Sequence, residues 1–389
     1  MVREYSVWID LLSDDERHLL QPGVPHGLDR RPDVLVVGGG IIGLAVAAAC
    51  EAAGLGSVTV IERGRLGGGA TGGSMGQLVP ETHIGVEPDW LVELMRKSLG
   101  LWFELEQRVP GGLGLIDMDW IGLEPLPAGM ASALPSSAQP LSATDLHERV
   151  PALQPGFTAV RIPHQARLNP LRAVARLAAG LRNVATGVEA TAVRMEGDRL
   201  AAVQTSTGEI HPGAVVFATG GPPRLDGLGL DLSQVAGWVK GHLVATAPTE
   251  ARLPGAISPF ATQIEDGRLI MGGTLDGHDP SPDVQPDVVE GIWQGFLDRL
   301  RPQLRQHTTL SHQWCCFRPW LRDGLPVVDR LPGASNAWLT AGQYRTGVLM
   351  APITGQMLAG WMASGEKPAE TRGLEAERLL KLNLSPRLG

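Results

Sequence analysis

Asp33-Val34-Leu35-Val36-Val37 runs without a polar break into Gly38-Gly39-Gly40-Ile41-Ile42-Gly43, and no other stretch constrains the fold so tightly. A short run of apolar β-branched residues bounded by glycines predicts a strand buried on both faces, and therefore a parallel sheet covered by helices. The glycines fall at GxGxxG spacing directly after that strand. Gly38 permits the tight turn, Gly40 lets a pyrophosphate approach the backbone, and Gly43 lets the following helix pack on the strand, so the helix start at Ile41 and Ile42 faces phosphate. The helix, from Leu44 to about Ala53, stops at Gly54, and Ser57-Val58-Thr59-Val60-Ile61 makes a second strand closed by Glu62. An acid roughly twenty positions beyond the glycines, at a strand tip, is the residue that holds the ribose hydroxyls of an adenine dinucleotide.

Composition narrows the rest. With 43% hydrophobic and 19% charged residues in 389, the chain carries enough apolar material for about two domains, which excludes disorder and collagen-like structure. Gly 50 and Pro 30 make it rich in loops. A net charge of -8 with scattered Lys and Arg gives no electrostatic reason to hold nucleic acid or acidic lipid. Three cysteines, two of them adjacent (Cys315 and Cys316), form no disulfide framework, and adjacent thiolates do not converge on one metal ion, so no metal is expected. Acidic residues stand near the start where a signal peptide needs an apolar core, and the uncharged runs 34–50 and 346–365 are interrupted by glycines and by Pro352, so the expectation is a cytoplasmic protein without a membrane span.

NAD and FAD both use the glycine fingerprint. Downstream, Gly213 to Phe217 is another apolar strand and ends in Ala218-Thr219-Gly220, after strand-like stretches Thr186 to Met195 and Leu200 to Gln204. Between the two nucleotide strands, Pro88 to Gln107 has helical apolar spacing through Leu91, Leu94, Met95, Leu99, Trp102 and Phe103. Residues 110–155 read as loops with short strands. Asn169-Pro170 caps a helix with Leu171, Val174, Leu177 and Leu181 on its apolar face and Arg172 and Arg176 on a solvated one. Val239 to Thr274 alternates as strands with a hairpin turn at Glu265-Asp266-Gly267, and Asp287 to Leu300 is an amphipathic helix. Residues 1–31 look like an arm laid across the body. His83, His242 and His278 are isolated in sequence and carry no assigned role, and Lys240 reads as structural.

Taken together these segments resemble the superfamily of FAD-dependent D-amino-acid oxidase, glycine oxidase and sarcosine oxidase. The carriers are the fingerprint continuing through Glu62-Arg63 to Thr71 and Ser74-Met75-Gly76, the Ala218-Thr219-Gly220 strand end, Leu168-Asn169-Pro170, Asp266 to Thr274, Trp314 to Pro319, and Ala341 to Gly355. The last two are most similar to glycine oxidase. The resemblance implies an α/β fold: a two-domain flavoprotein with a Rossmann-type FAD-binding domain of parallel sheet and helices, and a substrate domain of antiparallel sheet plus helices. The implied division is an N-terminal arm (1–31), an FAD-binding domain in three segments (32–85, 156–235 and 319–389) and a substrate domain in two (86–155 and 236–318). It places Val188 with the glycines, Glu62, Arg63, Thr71, Ser74, Met75 and Gly76 along FAD. Gly347, Val348 and Leu349 pass the pyrimidine edge, and the helix after Gly355 aims its positive end at the flavin.

The implied chemistry is oxidation of the C–N bond of a small amine or amino acid, glycine-like, N-substituted or of D configuration. A hydride passes to flavin N5 and leaves an imine, with hydrogen peroxide as product if dioxygen is the acceptor. Arg318 would hold the substrate carboxylate as a planar bidentate partner, Arg345 would be a second substrate-side arginine, and Tyr344 would cap the pocket. Phe260 aligns where glycine oxidase-like members place a substrate-contacting tyrosine, and Gln263-Ile264 replaces their usual Pro-Arg, which puts the substrate in question. FAD is expected without a covalent link. The alternative is a bond to Cys316, which has sarcosine oxidase-like spacing from Asp323. Dioxygen or another electron acceptor, and association into a homo-oligomer, complete the implied partners. The competing readings are a flavin monooxygenase using NAD(P)H, whose Gly-Asp-Ala segment is not found, and a dinucleotide-binding subunit of a hetero-oligomeric amine dehydrogenase.

Overall fold

The structure, a computed structural model, describes residues 2–221, 223, 225–228, 235–277 and 279–384; His278 lies outside them. Strand Val34–Val37 is buried along its whole length and sits between Val58–Glu62 and Ala214–Gly220, parallel to both. Asn183–Thr186 and Ala337–Ala341 extend the sheet on either side, again in parallel, and the antiparallel Val327–Arg330 closes one edge. Helix Ile41–Ala52 covers one face and packs on helix Gly347–Ser364. A three-stranded antiparallel sheet spans residues 190–210.

The second large sheet has nine strands and is mostly antiparallel. Its long ribbon of Leu310–Leu321, the edge strand, and Ala236–Thr246 stands at one end, and the sheet continues from it through Leu269–Gly272, Ala261–Gln263, Gly255–Ser258, Ile116–Leu123, Ala159–Arg167 and Gln77–Leu78. Ala159–Arg167 and Gln77–Leu78 thus belong to the antiparallel sheet, although segments 156–235 and 32–85 were assigned to the nucleotide domain. Main-chain pairing decides this, of Ala159–Arg167 with Ile116–Leu123 and of Gln77–Leu78 with Ala166 and Arg167, and no local pattern announces it. Residues 110–155 are also more regular than expected, with an eight-residue strand and a capped helix, Ala143–Arg149.

The arm is part of the core. Trp8 is fully buried, its Nε1 donates to the Ser74 carbonyl at 2.8 Å, and its own carbonyl receives Asn169 Nδ2 at 3.1 Å while Asn169 Oδ1 caps Leu171 and Arg172. Arg172 and Arg176 correct the solvated-face expectation: both reach the buried carboxylate of Glu16, at 3.3 and 3.1 Å, and Arg172 also reaches Glu265 at 2.8 Å. An arm without its own core is held because it supplies an apolar plug and a carboxylate that two helix arginines share. Among the described residues no helix is long and apolar enough to cross a membrane.

Burial pushes the Glu16 carboxyl up, but the Ser13 N–H and the two arginines outweigh it and bring it below the usual range. A lowered folded-state value means this stabilisation is complete above the unfolded value near 4.5 and is lost as pH falls through the folded one. Glu16→Gln should therefore cost about 1–3 kcal/mol at pH 7 and little at the acid end, as read by urea unfolding across pH; an equal loss at both ends would contradict this role.

Candidate functional site

A cavity of about 1830 Å³ begins at the glycine turn and continues between the two sheets to the far side of the antiparallel one. At its entry the three fingerprint glycines differ. A Cβ on Gly38 would strike the Ala218 carbonyl, and one on Gly43 would strike the Gly38 carbonyl, so close packing inside the protein dictates both. A Cβ on Gly40 would meet only Thr71 Oγ1, at 3.5 Å, and otherwise points into the cavity. Nothing within the protein requires glycine there, and the missing side chain leaves that face of the turn open to an occupant. Helix Ile41–Ala52 starts at this point with no side-chain cap on its first residue, although Ile41 N–H finds Thr71 Oγ1 at 3.2 Å, and Ile42 joins Ile41 in the wall. Its remaining first-turn donors have the geometry that suits an anion.

Glu62 stands at the tip of the next strand with Oε2 accepting from Gly39 N–H and Oε1 from Gly64 N–H, each at 2.8 Å, which fixes the carboxylate toward the cavity. Val188 anchors on the Glu62 carbonyl at 2.9 Å, and Arg63 is exposed and 3.9 Å from Glu189. Thr219 and Gly220 end their strand at the wall, with Gly220 in the left-handed region. The loop from Thr71 through Ser74, Met75 and Gly76 crosses the middle of the cavity. It lies flat on the antiparallel sheet because Gly73 leaves no room between its Cα and the Cys316 side chain, while Trp314 Nε1 donates to the Gly73 carbonyl at 3.1 Å. Cys316 is 8% exposed, and burial pushes its thiol up despite the neighbouring Arg318.

Beyond that loop the cavity becomes a chamber. Phe260 stacks on Phe296 at 5.1 Å between centroids and forms apolar wall with Trp120, Ile257 and Met130. Arg318 projects from strand Leu310–Leu321 over Gly241, where any Cβ would collide with the guanidinium, and its Nη1 donates to the Thr274 carbonyl at 2.8 Å. Among the described residues this guanidinium meets backbone carbonyls and no carboxylate. The carboxylates that line the cavity, Glu62 and Glu189, belong to the nucleotide end. Tyr344 reaches the chamber with a positive φ of 47° and is pinned by its N–H to the Pro319 carbonyl at 2.8 Å. Arg345 is exposed on the same rim, close enough to act electrostatically on His83 and Glu87.

The helix carrying Gly347, Val348 and Leu349 begins at Gly347, not after Gly355, so the end that carries positive charge opens at the cavity more than two turns earlier than the sequence suggests. Pro352 lies inside it. Proline offers no N–H to the Val348 carbonyl, and helix Asp89–Arg108 makes good the loss: Trp102 Nε1 donates to the Val348 and Leu349 carbonyls at 3.1 Å each, and Ser98 Oγ donates to Leu349 at 2.6 Å. Sequence reasoning counted Trp102 only as apolar spacing and missed this second function. It also missed His83, which is 5% exposed in the chamber wall; burial first, then the Arg345 charge, pushes its imidazole down to about 3, so it is neutral, and its Nδ1 has no partner among the described residues. His242 is not isolated either, since it pairs with Asp276 at 2.6 Å, and Lys240 is buried against Asp279 at 2.8 Å.

The family model for "FAD dependent oxidoreductase" matches residues 33–361. The chain belongs to that family. It is similar to glycine oxidase of Pseudomonas aeruginosa, 31% identical over 86% of this chain and 95% of the relative, and to that of Pseudomonas putida, 29% identical over 86% and 95%. Among solved structures it superposes on glycine oxidase from Bacillus cereus with a TM-score of 0.75 at 23% identity, covering 92% of this chain and 99% of that one, which is a likeness of fold. FAD is the cofactor, and the open face of Gly40, the uncapped helix start and the oriented Glu62 fit its pyrophosphate and ribose.

Gly40→Val should leave the fold intact, because its Cβ meets only an ordinary contact with Thr71 Oγ1, yet yield protein without flavin; Gly43→Val should not fold at all. Visible absorbance and far-UV circular dichroism of the two purified variants check this, and a yellow Gly40→Val protein would contradict the placement.

Proposed function

We propose that this flavoenzyme oxidises the C–N bond of a small amino acid or secondary amine that carries a carboxylate. The observation that supports this most is Arg318, a guanidinium without a carboxylate partner among the described residues, set in the wall of an otherwise largely apolar chamber that opens off the dinucleotide cleft. A cation in such a place calls for an anion, and a carboxylate matches its planar fork. The similarity to glycine oxidases supports the same reading. Bound FAD supplies a two-electron acceptor for the hydride of the carbon beside nitrogen.

The chain's own residues then orient and enclose. The glycine turn, helix start and Glu62 hold the adenine end, with Arg63, Val188, Ala218, Thr219 and Gly220 along its path. Thr71, Ser74, Met75 and Gly76 carry the chain past the ring, and Gly347, Val348 and Leu349 present N–H groups from a helix start, a location that favours negative charge. Arg318 fixes the carboxylate, Arg345 offers a second positive charge at the rim, Tyr344 covers the opening, and Phe260 with its apolar neighbours keeps water from the reacting carbon. Cys316 lies against the crossing loop, where its thiol is held protonated by burial, and this favours a non-covalent cofactor. The sheets suggest a functional division into a dinucleotide domain around Val34–Val37 and a substrate domain around Ala236–Thr246.

Two outcomes test this. Anaerobic mixing with a panel of glycine, sarcosine, proline and D-amino acids should bleach the flavin without NADH, and readmitting air should show whether dioxygen re-oxidises it with peroxide release; bleaching by NADPH alone would favour a monooxygenase. Arg318→Leu should retain flavin and weaken a carboxylate substrate by about 2–5 kcal/mol, with Arg318→Lys restoring only part, as read from the substrate dependence of flavin reduction. Unchanged affinity would move the carboxylate site away from Arg318.

A further inference from the structure

Arg318 reaches the chamber from a strand, and what aims its guanidinium is the carbonyl of Thr274 on the loop opposite. That loop is laced to the strand behind it by a buried imidazole. His242 is 0% exposed, and its Nε2 accepts the Gln285 backbone N–H at 3.0 Å. A ring nitrogen that accepts carries no proton, so the proton resides on Nδ1, which donates to Asp276 Oδ2 at 2.6 Å. The same carboxylate oxygen takes the Thr274 hydroxyl at 2.5 Å, and Thr274 Oγ1 in turn accepts the His242 backbone N–H at 2.8 Å. Gly273 N–H to the His242 carbonyl, at 2.8 Å, and Asp276 N–H to the Lys240 carbonyl, at 2.9 Å, complete the lacing.

Of this cluster Thr274 lines the chamber, whereas His242, Asp276 and Gln285 do not. A His–Asp pair set behind the chamber wall, with the imidazole buried and bonded at both nitrogens, does not touch an occupant. It does fix the direction of the Thr274 peptide, whose carbonyl takes Nη1 together with that of Lys240 at 3.5 Å, while the rest of the fork has no partner among the described residues. We propose that His242 and Asp276 are positioning residues that set the orientation of Arg318 through Thr274 and so give the chamber its affinity for carboxylates. This rests on the reading of Arg318 as the carboxylate site.

The test uses the flavin-loaded enzyme, with propionate as carboxylate probe and propionamide as its uncharged counterpart, each titrated against the visible flavin spectrum. Asp276→Asn and His242→Leu should each weaken propionate about 10-fold, the usual scale for removing a supporting partner, with flavin content and the propionamide response unchanged. His242→Asn, which keeps an N–H near the Nδ1 position, should recover most of the affinity. In an Arg318→Leu background Asp276→Asn should add no further loss, because both act on one guanidinium. Additive losses, or native propionate affinity in Asp276→Asn and His242→Leu, overturn the positioning role while leaving Arg318 in place. Native affinity in Arg318→Leu alone overturns the carboxylate site and the inference with it. Should either variant fail to yield flavin-loaded protein, Thr274→Val removes the hydroxyl bridge alone and is judged by the same two outcomes.

Discussion

Close backbone approach is the constraint on which this molecule depends. Gly38 lies under the Ala218 carbonyl, Gly43 over the Gly38 carbonyl, and Gly355 against the Ala45 carbonyl, so that two strands and two helices converge with no side chain between them. That convergence leaves the start of helix Ile41–Ala52 at the head of the central strand, with Ile41 N–H on Thr71 Oγ1 and no side-chain cap at Gly40. A helix start held in this way suits an anion because it sits too close to its neighbours for a side chain to intervene.

The same principle builds the substrate end. Gly241 lets the Arg318 guanidinium lie across a strand, and Gly73 lets the loop that crosses the cavity lie on Cys316. Each missing side chain brings a charged or peptide group to the cavity surface at a fixed height. His83 is driven neutral by burial beside Arg345, whereas Arg318 keeps carbonyl partners that hold its direction without cancelling its charge.

Distant segments supply what local structure cannot. The proline inside helix Gly347–Ser364 is tolerated because Ser98 and Trp102, some 250 residues earlier in the chain, bond the carbonyls around it. The crossing loop keeps its path because Trp8 of the arm reaches the Ser74 carbonyl. Both repairs join the cofactor-facing backbone to parts of the chain that carry no cofactor motif.

The strand, glycines, helix and acid from Asp33 to Glu62 were legible in the sequence, as were the Asn169 cap, the hairpin at Asp266 and the returning strand at Ala218, because each is a local pattern: period, turn chemistry or spacing over a few residues. The arginines at 318 and 345 were nameable only by resemblance, since a lone arginine beside an apolar run has no local signature. What the sequence left open was decided by non-local pairing. Ala159–Arg167 joined the antiparallel sheet through main-chain bonds to Ile116–Leu123, Arg172 and Arg176 turned from solvent to Glu16, and two histidines that look alike in sequence were both buried but in different places, His83 in the chamber wall and His242 against Asp276. Local sequence by itself determined where backbone can turn and where a helix can start, because those depend on a residue and its nearest neighbours; which charges meet, and which polar groups lose water, only the tertiary structure decided, because both depend on what the rest of the chain brings within a few ångströms.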